Sequence, residues 1–70
     1  MEQNNQWQDK QDIKSLELAE LTEAMVQMGQ PKFRGKQVYS WLHEKRVESF
    51  EEMSNLPAAF RQQLAQNYYI

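Results

Sequence analysis

The apolar residues of this chain recur at helical intervals in three separate runs, and no other pattern in it can supply a core. Leu18, Leu21, Met25 and Met28 form the first stripe; Phe33, Val38, Trp41 and Leu42 form the second; Leu56, Phe60, Leu64 and Tyr68 form the third. Spacings of three and four place side chains on one face of a helix, and no stretch shows the strict alternation of a half-buried strand. The chain has 70 residues and no cysteine, so it forms one domain at most, with no disulfide to reinforce it. A chain of this size buries only about 60% of its unfolded surface, so the three stripes must meet in a single core. The expected fold class is all-α, with three main helices and one short helical turn. The expected core is Leu21, Met25, Val38, Trp41, Leu42, Phe50, Leu56, Phe60 and Leu64.

Glycine and proline set the expected boundaries. Residues 1–14 are mostly Gln, Asn, Asp and Lys with one Trp, Trp7. They are too polar to offset the entropy of ordering and are expected to be a disordered tail. The helical domain is expected over residues 15–70. The first helix is expected over 18–28, with Glu17, Glu20 and Glu23 in its early turns, where the helix dipole favours negative charge. Gly29 is placed to end it as the residue just past the C-cap. Pro31 suits the first turn of a second helix over 32–45, with Lys45 and Arg46 in its last turn. Ser49 and Glu52 have the spacing of a capping box that starts a short helix through Met53. Asn55-Leu56-Pro57 opens the last helix, with Pro57 at its first position. Tyr68-Tyr69-Ile70 reads as the start of a strand or linker that continues elsewhere.

Several functions are excluded on chemical grounds. There is no thiol nucleophile or thiolate metal site, and only two glycines, so there is no Gly-rich phosphate loop. His43 alone makes no metal site, and Glu17, Glu20 and Glu23 read as a solvated face. No catalytic, cofactor-binding or metal-binding residue is expected. No apolar run approaches the roughly 18 residues of a membrane span, and the polar N-terminus is not a signal peptide, which agrees with a cytoplasmic protein.

The distribution of charge is more informative. The formal net charge is −2, yet residues 31–46, PKFRGKQVYSWLHEKR, hold five of the eight cations and a single Glu, about +4. On a helix at 100° per residue, Phe33, Val38, Trp41 and Leu42 are read as facing the core. Lys32, Lys36 and Tyr39 are read on the outer side, with Arg34 at the margin. Lys32, Arg34, Lys36, Lys45 and Arg46 are therefore the candidate nucleic-acid-binding residues, placed to follow a phosphate backbone. Arg34 has a second reading, as a structural residue that caps carbonyls of the first helix or pairs with Glu17 or Glu48. Lys45 and Arg46 have one as helix caps.

The order of segments carries a resemblance. Met28-Gly29-Gln30-Pro31-Lys32-Phe33-Arg34-Gly35-Lys36-Gln37-Val38 is followed by Trp41-Leu42, then Ser49-Phe50-Glu51-Glu52-Met53-Ser54-Asn55-Leu56-Pro57, then Phe60-Arg61-Gln62-Gln63-Leu64. From Ile13 to Ile70 the chain resembles the N-terminal accessory domain of the RlmN/Cfr family, in its RlmN branch. These are radical S-adenosylmethionine enzymes that methylate an adenine of 23S rRNA and, in the RlmN branch, of certain tRNAs.

The resemblance implies a small helical unit similar to helix-hairpin-helix folds, with the hairpin at Met28–Arg34 and only Gly29 at its turn. It implies a parent enzyme whose catalytic barrel binds a [4Fe-4S] cluster through cysteines and uses S-adenosylmethionine. This chain has no such cysteines, so it is expected to be no enzyme by itself. The implied partners are structured RNA (23S rRNA, tRNA) and the catalytic barrel, with no membrane partner and a monomeric state. Two functions follow from different classes. One is an RNA-contacting domain that helps position the substrate, which the basic second helix favours. The other is a protein-docking module that only orients the barrel, which the acidic first helix and net charge favour.

Overall fold

The computed structural model describes residues 10–70. The readings on residues 1–9, including Trp7, lie outside the described residues. Three helices carry the fold: α1, Leu18–Gln27; α2, Phe33–His43; and α3, Ala58–Asn67. Two 3-10 turns, Ile13–Ser15 and Phe50–Glu52, flank them. Two-residue strands, β1 at Gln11–Asp12 and β2 at Tyr68–Tyr69, pair in parallel and bring the two ends of the described chain together. The domain is helical as expected, with two short turns where one was expected.

Local chemistry sets the helix ends. The Glu17 backbone N–H donates to Glu20 Oε1 at 2.9 Å, and Gln27 Nε2 donates to Glu23 Oε2 at 3.0 Å. The three carboxylates thus lie on an exposed face, two of them accepting local hydrogen bonds. At the other end Gly29 takes φ +83°, as expected of its position. Its N–H donates to the Val26 carbonyl, and the Gln30 N–H to that of Met25, each at 2.9 Å. These are the two bonds of a Schellman motif, which only a residue at ease with positive φ closes without strain. The Arg34 and Gly35 N–H groups then donate to the carbonyls of Pro31 and Lys32. The new helix therefore starts within five residues of the old one.

This tight reversal lays α2 against α1, the most extensive helix pairing in the domain. Gly35 sits at the point of closest approach. A Cβ added there would lie 2.7 Å from Thr22 Cα and would also run into Thr22 Oγ1. The bare backbone at this position is what lets the two helices come so near.

Leu21, Met25, Val38, Leu42, Phe50, Leu56, Phe60 and Leu64 are buried, as their stripes require. Ile13, Val47 and Met53 join them. One expected member, Trp41, is not fully buried, and Phe33, read as facing the core, points away from it. Trp41 is half-buried at the rim, where its indole N–H donates to Asn55 Oδ1 at 2.8 Å, so the ring keeps its polar edge at the surface. Phe33 is 55% exposed. It precedes Val38 by five positions and Leu42 by nine, which at 100° per residue places it about 140° and 180° away from them.

Residues 11–14, expected to belong to a disordered tail, are ordered. Gln11 and Asp12 pair with Tyr68 and Tyr69, and Ile13 is fully buried. A single apolar residue has no period to detect, and its burial depends on a strand contributed by the far end of the chain.

The second helix also ends earlier than expected, at His43. The Lys45 N–H donates to the Ser40 carbonyl at 2.9 Å and the Val47 N–H to that of Trp41 at 3.1 Å, while Arg46 takes φ +57°. This turn delivers Val47 into the core. Ser49 does precede a short helical turn. Glu52 Oε2, however, accepts from the Glu48 N–H at 3.1 Å and the Ser49 hydroxyl at 3.4 Å, so the reciprocal box does not form. Pro57 stands one residue before α3, and its carbonyl accepts from the Arg61 N–H.

Replacing Gly35 with Ala forces α1 and α2 apart. The gain in helix propensity, about 1 kcal/mol, is outweighed by overpacking against backbone, which typically costs about 1–3 kcal/mol. Gly35→Ala should lower the melting temperature by several degrees, and Thr22→Ala should not restore it, because the nearest backbone obstacle is Thr22 Cα. An unchanged melting curve would show that the helices do not meet closely here.

Candidate nucleic-acid interface

The tight turn at Gly29 and the core stripe of α2 decide where the candidate cations go. Leu42, Val38 and Gly35 face inward, so Lys32, Phe33 and Lys36 are left exposed at the start of the helix. Lys32 and Lys36 stand four positions apart and share a side, about 40° from one another on the helix.

Lys45 and Arg46 do not belong to this group. Seven residues, about 10 Å of helix axis, separate Lys36 from His43, and the chain then turns away from the helix direction. Lys45 lies back over the Trp41 ring, with Nζ 5.3 Å from its centroid. Arg46 is exposed and is the one non-glycine among the described residues with positive φ. The structure thus leaves Lys32 and Lys36 exposed on one side of α2, places Arg34 about 160° round the helix from both, and sets Lys45 and Arg46 beyond the other end. The basic stretch is divided and does not form one continuous track.

Arg34 differs from its neighbours. It is half-buried, with Nε donating to Gln30 Oε1 at 3.2 Å and Nη1 donating to Gln37 Oε1 at 2.8 Å. Its guanidinium carbon lies 5.1 Å from the Phe33 ring centroid and 5.8 Å from that of Phe60. Its side-chain partners are these two amides and two rings, and neither Glu17 nor Glu48 is among them. Gln30 closes the α1 cap and Phe60 belongs to α3, so Arg34 ties three parts of the fold together while keeping its charge near the surface.

Tyr39, read as an outer residue, packs partly against the core, its ring 4.4 Å from that of His43. His43 Nε2 is enclosed without a hydrogen-bond partner, and the side chain is only half-buried. A cation that sequence reasoning did not single out, Arg61, is half-buried and donates through Nη1 to the Glu51 carbonyl at 2.9 Å, which holds α3 to the second 3-10 turn. It lines a shallow depression with Glu51, Ala58, Gln62 and Ala65. No periodic signal marks Arg61, because its role is set by a contact ten residues away.

The donor set does not fit an iron–sulfur cluster. Such clusters are held by cysteine thiolates, and the chain has none. Among the described residues no three His, Cys, Asp or Glu side chains gather into a metal-binding group. No helix among them is long and apolar enough to cross a membrane.

Residues 11–70 match the family model described as ribosomal RNA large subunit methyltransferase N-terminal domain. Two curated relatives from Staphylococcus aureus, strains JH9 and Newman, bear the name probable dual-specificity RNA methyltransferase RlmN. Each is 47% identical over 62 residues, covering 89% of this chain and 17% of the relative. The crystal structure of a radical SAM methyltransferase from Sphaerobacter thermophilus aligns with a TM-score of 0.79 and 29% identity, over 83% of this chain and 17% of that one. The chain therefore spans about a sixth of the length of the proteins it matches.

The turn after α2 yields a test of its own. A non-glycine residue in the left-handed region costs about 1–2 kcal/mol, and a new glycine returns about 0.4–1 kcal/mol of that through greater freedom of the unfolded chain. Arg46→Gly should therefore be stabilising by roughly 0.5 kcal/mol, seen as a higher urea midpoint at unchanged m-value. A lower midpoint would mean that the Arg46 side chain makes stabilising contacts.

Proposed function

The chain belongs to the family of ribosomal RNA large subunit methyltransferase N-terminal domains, and from that membership we propose that it is an RNA-contacting accessory domain. It would help position structured RNA, 23S rRNA and tRNA, for the adenine-C2 methylation carried out by a catalytic barrel outside this chain. That barrel would hold the [4Fe-4S] cluster and S-adenosylmethionine, since this chain has no ligands for the cluster.

The observation that carries the proposal is the pair Lys32 and Lys36, exposed on one side of α2 in a chain whose net charge is −2. Their ammonium groups are suited to phosphates, which position a nucleic acid without reading its sequence. Arg34 lies about 160° round the helix from both, and its hydrogen bonds are directed to Gln30 and Gln37. Lys45 and Arg46, at the far end, favour a second reading for that end. There the domain would orient the barrel by pairing with acidic groups on it.

The two readings separate in an NMR titration of the chain with an RNA hairpin at rising salt. Two or three phosphate contacts give a slope of log Kobs against log[salt] of about −2 to −3. Shifts should cluster at residues 30–37. Lys32→Ala and Lys36→Ala should each weaken binding and reduce the slope by about one, while Lys45→Ala leaves it nearly unchanged. Shifts on the acidic face of α1, or none at millimolar RNA, would leave only the orienting role.

A further inference from the structure

The RNA reading rests on cations, yet the most exposed large apolar side chain among the described residues, Phe33, stands between them. It faces away from Leu42 and contributes nothing to the buried core. A phenylalanine more than half exposed on a small helical domain needs some other physical reason to hold one position, and here it has one. The Arg34 guanidinium lies against it at 5.1 Å and against the buried ring of Phe60 at 5.8 Å. Gln30 and Gln37 fix the same guanidinium by hydrogen bonds. Phe60, Arg34 and Phe33 thus form a ladder of ring, cation and ring that runs from the core outward. Phe60 is 3% exposed at its base and Phe33 is 55% exposed at its top. The exposed ring is pre-positioned, so little rotamer freedom remains to be lost when a ligand covers it.

We propose that Phe33 is a stacking platform for one unpaired nucleobase of the RNA, held between phosphates that Lys32 and Lys36 contact. The inference rests on the RNA-contact reading above and adds a base to it. Any base presents a π-face, so the platform selects for unpaired nucleotides over a continuous duplex and not for a sequence. The charge around Phe33 argues for this occupant over an apolar protein surface. A protein covering Phe33 would have to desolvate Lys32, Lys36 and the edge of Arg34, whereas an RNA strand brings one phosphate per nucleotide to meet them.

Two RNAs decide the matter when titrated into the chain. One is a short hairpin with 2-aminopurine at an unpaired loop position, and the other is a blunt duplex of the same stem. Stacking on Phe33 should quench the 2-aminopurine fluorescence. Phe33→Leu should weaken hairpin binding by about 5- to 100-fold, the range for loss of one base–aromatic stack. It should leave duplex binding and the salt slope unchanged, and Phe33→Trp should keep hairpin affinity. Because Phe33 is off the core, both variants should melt like the parent chain, and circular dichroism checks this. If the chain binds both RNAs with the expected salt slope and Phe33→Leu binds them equally well, the stacking platform is overturned while the phosphate contacts stand. If the parent chain binds neither RNA, both readings fall together.

Discussion

The structure depends on the close approach of two helices at Gly35 and Thr22. Without a Cβ at Gly35 the backbone of α2 can settle against α1, and with one it cannot. The reversal that makes this possible is equally local. Gly29 at positive φ lets the Gly29 and Gln30 N–H groups close the end of α1, and Pro31 opens the first turn of the next helix. Both glycines of the chain are therefore used within one hairpin, one for its backbone angle and the other for its lack of a side chain. Once α1 and α2 are locked, Val38 and Leu42 must point inward, and the opposite side of α2 must carry Phe33 and the lysines outward.

The cations in this region have different physical situations. Lys32 and Lys36 are free to reach into solvent. Arg34 is bound by two amides and two aromatic rings, a use that suits a planar guanidinium and not an ammonium. Lys45 rests over Trp41, and Arg46 occupies a turn that brings Val47 into the core. A charge of about +4 counted along the sequence is thus divided by the fold into one open cluster, one structural bridge and one distant pair.

In the function proposed here, the domain contributes to a methyltransferase through geometry. In that reading its residues add binding energy and orientation. The ladder from Phe60 to Phe33 links the two, because the buried ring that helps stabilise α3 also sets the position of the exposed one. In this proposal the core and the interface are parts of the same stack.

The sequence by itself determined the three helices, the stop at Gly29 and most of the core. Each of these follows from short-range rules, the period of apolar residues and the backbone freedom of glycine, that operate within a few positions. It also carried the family, in the ordered run from Met28 to Leu64. Other features were decided by tertiary contacts. Ile13 is buried because a strand formed by Tyr68 and Tyr69 pairs beside it, and Gly35 matters because Thr22 lies opposite. The outward position of Phe33 was within reach of sequence reasoning, since its spacings of five and nine from Val38 and Leu42 do not fit their face. The split of the basic stretch was not, because it follows from the turn at Arg46, where the demand to bury Val47 overrides the left-handed cost of a non-glycine residue.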